Sequence, residues 1–403
     1  IAGKSIVNKN AFANHVKPAS YKLFTLNEPA LKIDLQQAPF ETDISSSKSN
    51  TVITLPSPDG SLKDFFVYES AVMESGLAAK FPGIKSYSGK AVDQSSSSVR
   101  FTVTKLGLHA MVTSGTSATY YVNCLDKKSN LYIINDRDNV KGSGTFSCKM
   151  DQALLTVENI EAKKTPFSGN ANDSKLRTYR LALCVTGEFS LYFITGDEVT
   201  KQDSIETVLA AITIHLARAN EVYERDFGVR MVFVNDEEKI IYLDPKKDPF
   251  SSSLNSQCQN TCDSKIGNTN YDIGHVVQKG GDNGSAGCIG CVCKSGSKGS
   301  GFSTYSKPDL LDPFVIDYWT HEMGHQFGAN HTYTYSNEGS GANLEPGSGS
   351  TIMGYAGITG STDVQDHSDD YFHAASIAQV TNYIKTGFGN TCGAVTESSN
   401  PAP

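Results

Sequence analysis

Hydrophobic and polar residues alternate along much of the first half of the chain, where Val, Thr, Tyr and Phe are enriched. Residues 20–150 therefore predict a series of strands, two of which flank a turn at Pro58, Asp59 and Gly60. This half does not gather His, Asp and Glu at a spacing typical of a catalytic site. It is predicted to be a β-rich scaffold without chemistry of its own.

The hydrophobic pattern changes in the second half. Apolar residues recur at helical spacing over residues 201–227, which predicts a long amphipathic helix. A strand is predicted before it in RTYRLALCV, and short strands follow it, one of them in YDIGHVV. This order of elements indicates an α+β fold with helices packed on a mixed, twisted sheet.

The two halves are separated by residues 161–176, where Lys, Ser, Asn, Gly and Pro dominate as in an exposed linker. The 403-residue length favours two domains. The predicted division is a β-rich domain over 1–160, the linker, a second domain over 177–395, and the start of a C-terminal linker over 396–403. Lys163 and Lys164 offer cleavage points in the first linker, although an ordinary interdomain loop has the same composition.

Charge and cysteine content narrow the class of protein. The net charge of −8, with scattered Lys and Arg, argues against nucleic acid or an anionic membrane surface as a partner. No apolar stretch has the length of a membrane span. Nine cysteines predict disulfides and an oxidising compartment, and their odd number leaves one thiol unpaired within the chain.

The chemistry is concentrated in the sequence HEMGHQFGANH, which begins at His321. His321 and His325 are four residues apart and share one face of a predicted helix, so both imidazoles can bind one zinc ion. Gly328 permits the positive φ that ends the helix and brings His331 round as the third ligand. Three protein ligands leave one position open, which is typical of a catalytic zinc site, and Glu322 lies beside it. Chance histidines in a helix are a poor alternative at this spacing.

Met353 stands in a Gly- and Ser-rich turn 22 residues beyond His331. The histidine motif and this turn together resemble the metzincin clan of zinc endopeptidases. The segments HEMGHQFGANHTY, EPGSGSTIMGYAG and DDYFHAASI resemble its bacterial reprolysin-like group, which is related to the adamalysins. LPSPDGSLKDFFVYES and LAAKFPGIKSYSG in the first half resemble the propeptide of that group.

The resemblance implies a metzincin catalytic domain with a zinc-site helix and a Met-turn, preceded by an inhibitory propeptide in residues 1–160. It also implies secretion from a Gram-negative bacterium. Met353 would form the hydrophobic floor of the metal site. Tyr355 would stabilise the oxyanion, as in astacins and serralysins, although a buried phenol bonded to backbone is an equal alternative. Thr332 departs from the Asp of adamalysins and the Glu of astacins after the third histidine.

This chemistry needs a general base and an extended substrate. Glu322 would take a proton from the attacking water and deliver it to the leaving amine. A protein or peptide substrate would add as a strand to a sheet edge, for which Ile273, Gly274, His275 and Val276 are the candidates. His275 is predicted to be a strand residue, because three histidine ligands are already present.

A propeptide that inhibits the enzyme needs a group that blocks the open metal position. A cysteine thiolate is a strong zinc ligand, and Cys148 lies shortly before the linker. Cys124 is the second candidate, and a disulfide is an equal alternative for either cysteine. With Cys148 on zinc, eight cysteines remain, enough for four disulfides.

Two further groups have alternative interpretations. Cys288, Cys291 and Cys293 suggest a second metal site, but disulfides are favoured in an oxidising compartment. Asp363, Asp366, Asp369 and Asp370 suggest a calcium ion, but a solvated acidic loop is favoured.

Two other functions are alternatives to a protease. A catalytically silent binding or adhesion protein would predict damage to the motif, whereas Glu322 and all three histidines are intact. A zinc hydrolase of a non-peptide substrate has the same motif, and the predicted edge strand and propeptide favour peptides over it.

Overall fold

The computed structural model describes residues 12, 15–41, 49–93, 95–140, 146–148, 173–310, 315–336 and 338–398. Most of the predicted linker over 161–176 and the end of the predicted C-terminal segment over 396–403 lie outside these ranges.

The first half forms an eight-stranded antiparallel sheet in the order β1-β8-β7-β6-β5-β4-β3-β2. Its strands are β1 (Lys22–Thr25), β2 (Val52–Pro56), β3 (Leu62–Glu69), β4 (Lys85–Ala91), β5 (Ser98–Thr104), β6 (Gly107–Thr113), β7 (Tyr120–Asp126) and β8 (Leu131–Asp136). Two short helices accompany it, α1 (Glu28–Leu35) and α2 (Ser75–Lys80). Gly60 has φ +93° in the predicted turn between β2 and β3. The prediction of a β-rich first half is confirmed.

The second half contains a seven-stranded mixed sheet with the path β11-β10-β12-β14-β13-β9, and β15 pairs with β10. Its strands are β9 (Ser147–Cys148), β10 (Lys175–Val185), β11 (Val229–Phe233), β12 (Ile273–Lys279), β13 (Asn283–Ser285), β14 (Gly301–Tyr305) and β15 (Ala394–Glu397). Its helices are α3 (Gly187–Phe193), α4 (Lys201–Phe227), α5 (Leu254–Thr261), α6 (His321–Gln326) and α7 (Ala374–Thr386). The predicted α+β class is confirmed. Strand β10 begins two residues before the predicted start of the second domain at 177, and β15 ends two residues after its predicted end at 395.

Helix α4 has the predicted bounds. Thr200 and Asp203 form a reciprocal capping box at its start, and Gly228 ends it with φ +63°. Every residue from Thr207 to Tyr223 is buried, because the helix lies between the two sheets and contacts both β5 and β11. The polar side of α4 therefore contacts protein rather than solvent. An amphipathic sequence pattern cannot distinguish these two cases.

The predicted substrate edge strand is wrong. Ile273, Gly274, His275 and Val276 belong to β12, which pairs with β10 on one side and β14 on the other. A parallel strand buried on both faces has a continuous apolar sequence, which does not tell its position in the sheet. His275 is a buried strand residue, as predicted, and its ring contacts Gln326 Oε1 at 2.9 Å and Ser303 Oγ at 3.0 Å.

The antiparallel strand β13 lies beyond β14, toward the end of the sheet. Strand β9, which comes from the end of the first half, pairs with β13 in parallel. A short segment of the first half therefore completes the second sheet.

Candidate active site

The three motif histidines converge on one point. Helix α6 carries His321 and His325 one turn apart, and Gly328 with φ +102° reverses the chain so that His331 returns to them. The Nε2 atom of His331 lies 3.3 Å from that of His321 and 3.0 Å from that of His325. Nitrogen ligands about 2.0–2.1 Å from a tetrahedral zinc ion are about 3.3 Å apart, so the three rings have the separation that zinc requires.

Each imidazole is held in the tautomer that a metal ligand needs. The Nδ1 atoms of His321 and His325 donate to the carbonyls of Ile352 and Ala329, at 2.6 and 2.7 Å. His331 Nδ1 contacts the Glu338 carboxylate at 2.9 Å. With these protons on Nδ1, the Nε2 lone pairs of the three rings face the common point.

Burial keeps the rings of His321 and His325 neutral. It lowers the pKa of His321 to about 3 and that of His325 well below its ordinary value, and the neighbouring His331 lowers both further. Neutral imidazoles with converging lone pairs repel one another electrostatically unless a cation lies between them. The donor set therefore fits a zinc ion.

Glu322 lies beside the histidines with its carboxylate buried. Burial raises the pKa of this carboxyl to about 8, and the Cys148 thiol and the Ala286 backbone partly offset that effect. Neither oxygen has a protein hydrogen-bond partner of good geometry, so the group is available to another molecule. A β-carbon at Gly284 would lie 2.5 Å from Oε1 of Glu322, so strand β13 passes directly over the carboxylate.

Met353 is fully buried under the helix that carries the first two histidines. A β-carbon at Gly324 would lie only 2.8 Å from the Met353 sulfur, so the thioether leaves no room for a side chain at this position of α6. The Thr332 backbone N–H donates to the Met353 carbonyl at 3.0 Å. The turn is thus attached directly to the residue after the third histidine.

Tyr355 packs against the histidines, with its ring centre 4.7 Å from that of His331 and 5.8 Å from that of His321. Its hydroxyl hydrogen-bonds with the Cys148 thiol, and burial raises the pKa of the phenol well above its usual range. The hydroxyl therefore lies beside the thiol and the three histidines.

Cys148 completes the cluster. Its Sγ lies 3.7 Å from Nε2 of His325, and one ligand atom from each of Cys148 and the three histidines lies within 4.8 Å of all the others. A sulfur about 2.3 Å and a nitrogen about 2.0 Å from one tetrahedral zinc ion are about 3.5 Å apart. Cys148, rather than Cys124, is the cysteine at the histidines.

The family is shown by comparison with known proteins. A sequence profile described as metallo-peptidase family M12B, reprolysin-like, matches residues 175–384, which is more than half of the chain. The chain belongs to this family. No curated protein matches the chain in sequence. The M12B metallopeptidases are zinc-dependent, and His321, His325 and His331 are the candidate zinc site of this one.

The remaining cysteines of this M12B metallopeptidase pair only in part as predicted. Cys288 is joined to Cys291 and Cys293 to Cys392, so the preference for disulfides in this group is confirmed. Cys124 is buried in the other sheet, where it contacts Tyr132. Eight cysteines would be enough for four disulfides, but the structure has two, and Cys184, Cys258 and Cys262 are thiols like Cys124.

The side chains of the acidic run over residues 363–370 do not come together at one candidate metal position. Asp363 accepts hydrogen bonds from Thr359 and Gly360, and Asp370 accepts from Thr119 and Arg225. Among the described residues, none of the candidate metal-ligand groups includes these aspartates. The alternative of a calcium ion has no support from these side chains.

Sequence reasoning missed three residues of the site. Glu338 binds the third histidine, and both it and His331 contact the Tyr333 hydroxyl. Phe146 stacks on Tyr318 with ring centres 4.0 Å apart and lies 6.3 Å from the His321 ring. Glu338 stands in a polar loop without periodicity and gave no signal, whereas Phe146 could have been noted as an apolar residue two positions before Cys148.

Proposed function

We propose that this metallopeptidase is the zymogen of a secreted zinc endopeptidase, in which residues 1–160 inhibit the catalytic domain through Cys148. The observation that carries the proposal is the position of the Cys148 sulfur, which lies where a fourth zinc ligand would be. A thiolate there would exclude the water that the reaction consumes.

The residues around Cys148 support the same role. Ser147 and Cys148 pair with Asn283 and Gly284 of β13, so backbone from the first half takes up the hydrogen bonds of that strand. Phe146 is buried, stacks on Tyr318 and lies beside His321 and the residues after Met353. The segment from Phe146 to Cys148 would therefore cover both the metal position and the strand.

In the active enzyme His321, His325 and His331 would hold the zinc ion. When bound, zinc polarises the scissile carbonyl and lowers the pKa of water. Glu322 would accept the proton of the attacking water and return it to the leaving amine, a role suited to a carboxyl whose pKa burial has raised. The Tyr355 hydroxyl would donate a hydrogen bond to the carbonyl oxygen as it gains charge.

Strand β13 would hold the substrate once β9 has left it. An extended peptide can pair with β13 through main-chain hydrogen bonds, which favours proteins or peptides as substrates. The intact set of three histidines and Glu322 disfavours a catalytically silent binding or adhesion protein. The strand beside the metal position disfavours a non-peptide substrate.

The test is zinc-edge X-ray absorption on the intact chain loaded with zinc. We expect a sulfur neighbour about 2.3 Å from zinc, which is lost in Cys148→Ala and retained in the matched control Cys124→Ala. Nitrogen and oxygen neighbours alone in the intact chain would overturn the Cys148 inhibition.

Peptidase activity is tested separately. After limited proteolysis the protein should digest casein, and Glu322→Ala should not. Lack of digestion by zinc-loaded, processed protein would contradict the endopeptidase function. This result does not depend on how the chain is inhibited.

A further inference from the structure

Three cysteines outside the active site bring their sulfur atoms together. Cys184 lies on β10, Cys258 in helix α5, and Cys262 directly after that helix. The Sγ atom of Cys262 lies 3.8 Å from that of Cys184 and 4.0 Å from that of Cys258. All three side chains are fully buried.

The sheet provides space for this group. A β-carbon at Gly274 of β12 would lie only 2.8 Å from Sγ of Cys262. Because glycine has no side chain, the Cys262 sulfur can pack directly against the sheet. Apolar residues form the rest of the layer, among them Ala182, Ile240 and Val276. The sulfur atoms are thus in contact with one another and with hydrocarbon.

The charges around the cluster disfavour a metal ion held by three thiolates. Such a site would carry net negative charge within an apolar layer, where a charge is costly. Burial raises the pKa of the nearby Glu237 carboxyl well above its ordinary value, which shows how strongly this region disfavours a charge. The Lys298 ammonium donates its hydrogen bonds to the carbonyls of Asn268 and Tyr271. A disulfide and a thiol are neutral and fit this layer better.

Helix geometry decides which pair is favoured. The Cys262 backbone N–H donates to the Cys258 carbonyl, so these two residues are one helical turn apart. Their β-carbons are then about 5–6 Å apart, whereas a disulfide needs about 3.5–4.5 Å. Cys184 comes from a separate strand and is free of this restriction. Cys262 is favoured as its partner because their sulfur atoms are in contact at 3.8 Å.

We propose that Cys184 and Cys262 form a buried disulfide that joins β10 to the end of helix α5, with Cys258 as a third thiol beside it. Cys262 is the member that reacts first, because hydrogen bonds from Cys184 and Cys258 lower the pKa of its thiol, whereas burial raises the pKa of the other two.

The bond forms during folding by exchange with a donor disulfide, such as oxidised glutathione. The Cys262 thiolate attacks the donor and releases one donor thiolate, and Cys184 then attacks the mixed disulfide at Cys262 and releases the second. Two electrons pass to the donor, and the protons of the two cysteine thiols end on the two donor thiols or in solvent.

The experiment is peptide mapping of the intact chain after equilibration with oxidised glutathione, until the Cys293–Cys392 bond is complete. The protein is denatured in iodoacetamide and digested with trypsin. We expect a cross-link between peptides 181–201 and 248–265, with the alkyl group on Cys258 assigned by fragmentation. Alkylation of all three cysteines beside an intact Cys293–Cys392 bond would overturn the proposal, and so would a bond between Cys258 and Cys262.

Thermal unfolding of matched variants gives a second test. Cys184→Ser should lower Tm by about 10 °C, because it opens a loop of 78 residues. Cys258→Ser removes a sulfur from the same cluster and should change Tm by less than about 3 °C. Equal losses in the two variants would contradict a specific bond between Cys184 and Cys262.

Discussion

Each zinc-site histidine has an oxygen acceptor at Nδ1, but the three acceptors differ in kind. Those of His321 and His325 are backbone carbonyls, which any side chain at positions 352 and 329 would supply. The acceptor of His331 is the carboxylate of Glu338, a side chain seven residues beyond it. Of these three contacts, only the one at His331 can be removed by a single substitution of the acceptor.

Glu338→Ala is expected to weaken zinc binding by about 10–100-fold, because His331 loses the partner that fixes its tautomer and orientation. Glu338→Gln retains an acceptor and should have a smaller effect. The zinc Kd of the intact chain, measured by chelator competition, tests this. The exposed Glu397→Gln is the control, and an unchanged Kd in Glu338→Ala would show that the contact has no role in metal binding.

Glu322→Gln is expected to lower kcat of the processed enzyme by at least about 100-fold. The amide has nearly the same shape as the carboxyl but cannot accept the proton of the attacking water. Casein digestion measures the loss, and zinc content should stay unchanged because Glu322 is not among the converging ligand atoms. Activity close to that of the unsubstituted enzyme would exclude Glu322 as the base.

At the scale of elements, strand β13 approaches Glu322 through a glycine. Gly284 brings its backbone close to the carboxylate and also pairs with Cys148. The same residue therefore borders both the proposed base and the proposed inhibitory segment.

Gly284→Ala should displace the Glu322 carboxylate or the strand and lower kcat by about 100-fold, the cost expected for a misplacement of about 1 Å. Steady-state kinetics of the processed enzyme, with zinc content as a check on the histidines, tests this. Asn283→Ala, which removes atoms from the same strand, should have a much smaller effect. An active Gly284→Ala enzyme with normal kcat would mean that β13 can move away without consequence.

The Met-turn is attached to the third histidine by a buried carboxylate. Glu345 accepts hydrogen bonds from the Thr332 and Thr351 hydroxyls and from the backbone N–H groups of Ser350 and Thr351. These bonds lower the pKa of Glu345 against the effect of burial. Thr332 stands where related subfamilies have an acidic residue, and here Glu345 supplies the carboxylate from another loop.

In the molecule as a whole, the first half has a hydrophobic core of its own and also contributes residues to the core of the second half. Phe81, Met111 and Phe146 of the first half lie in the same cluster as the residues of α4 and β11. Val72 and Glu74 exchange backbone hydrogen bonds with Phe233 at the edge of the second sheet. In the described part of the chain, no helix is long and apolar enough to cross a membrane.

A buried arginine joins the first half to the segment before the zinc helix. Arg137 donates to Asp317 at 2.8 Å and to the Ser368 carbonyl, and both charged side chains of the pair are at most 9% exposed. Asp317 lies four residues before His321. The contact therefore couples the position of the first half to the metal site.

Arg137→Ala should lower the free energy of unfolding of the intact chain by about 3–5 kcal/mol, because it leaves the Asp317 carboxylate buried and unpaired. Lys80→Ala removes an exposed ion pair with Glu238 across the same boundary and should cost less than about 1 kcal/mol. Urea unfolding of the two variants measures the difference. Equal effects would mean that Arg137 contributes no more than a surface charge.

Much of the chain could be predicted because its signals are local. The capped helix over 201–227, the turn at Gly60 and the pairing of His321 with His325 depend on residues close in sequence. The edge strand was misassigned because β12 and a strand at the sheet edge differ in their neighbours rather than in their own residues. Cys148 was a candidate from its position before the linker, but its distance from the histidines is a tertiary contact.

Local sequence signals were enough to predict the β-rich first half, the long helix over 201–227, the zinc motif and the chemistry that the motif performs, because helix periodicity and ligand spacing act over a few residues. Tertiary structure alone decided which strand passes over Glu322, which carboxylate holds His331, and which cysteines meet. These contacts join residues far apart in the chain. They depend on how the sheets and loops pack, which no local pattern encodes.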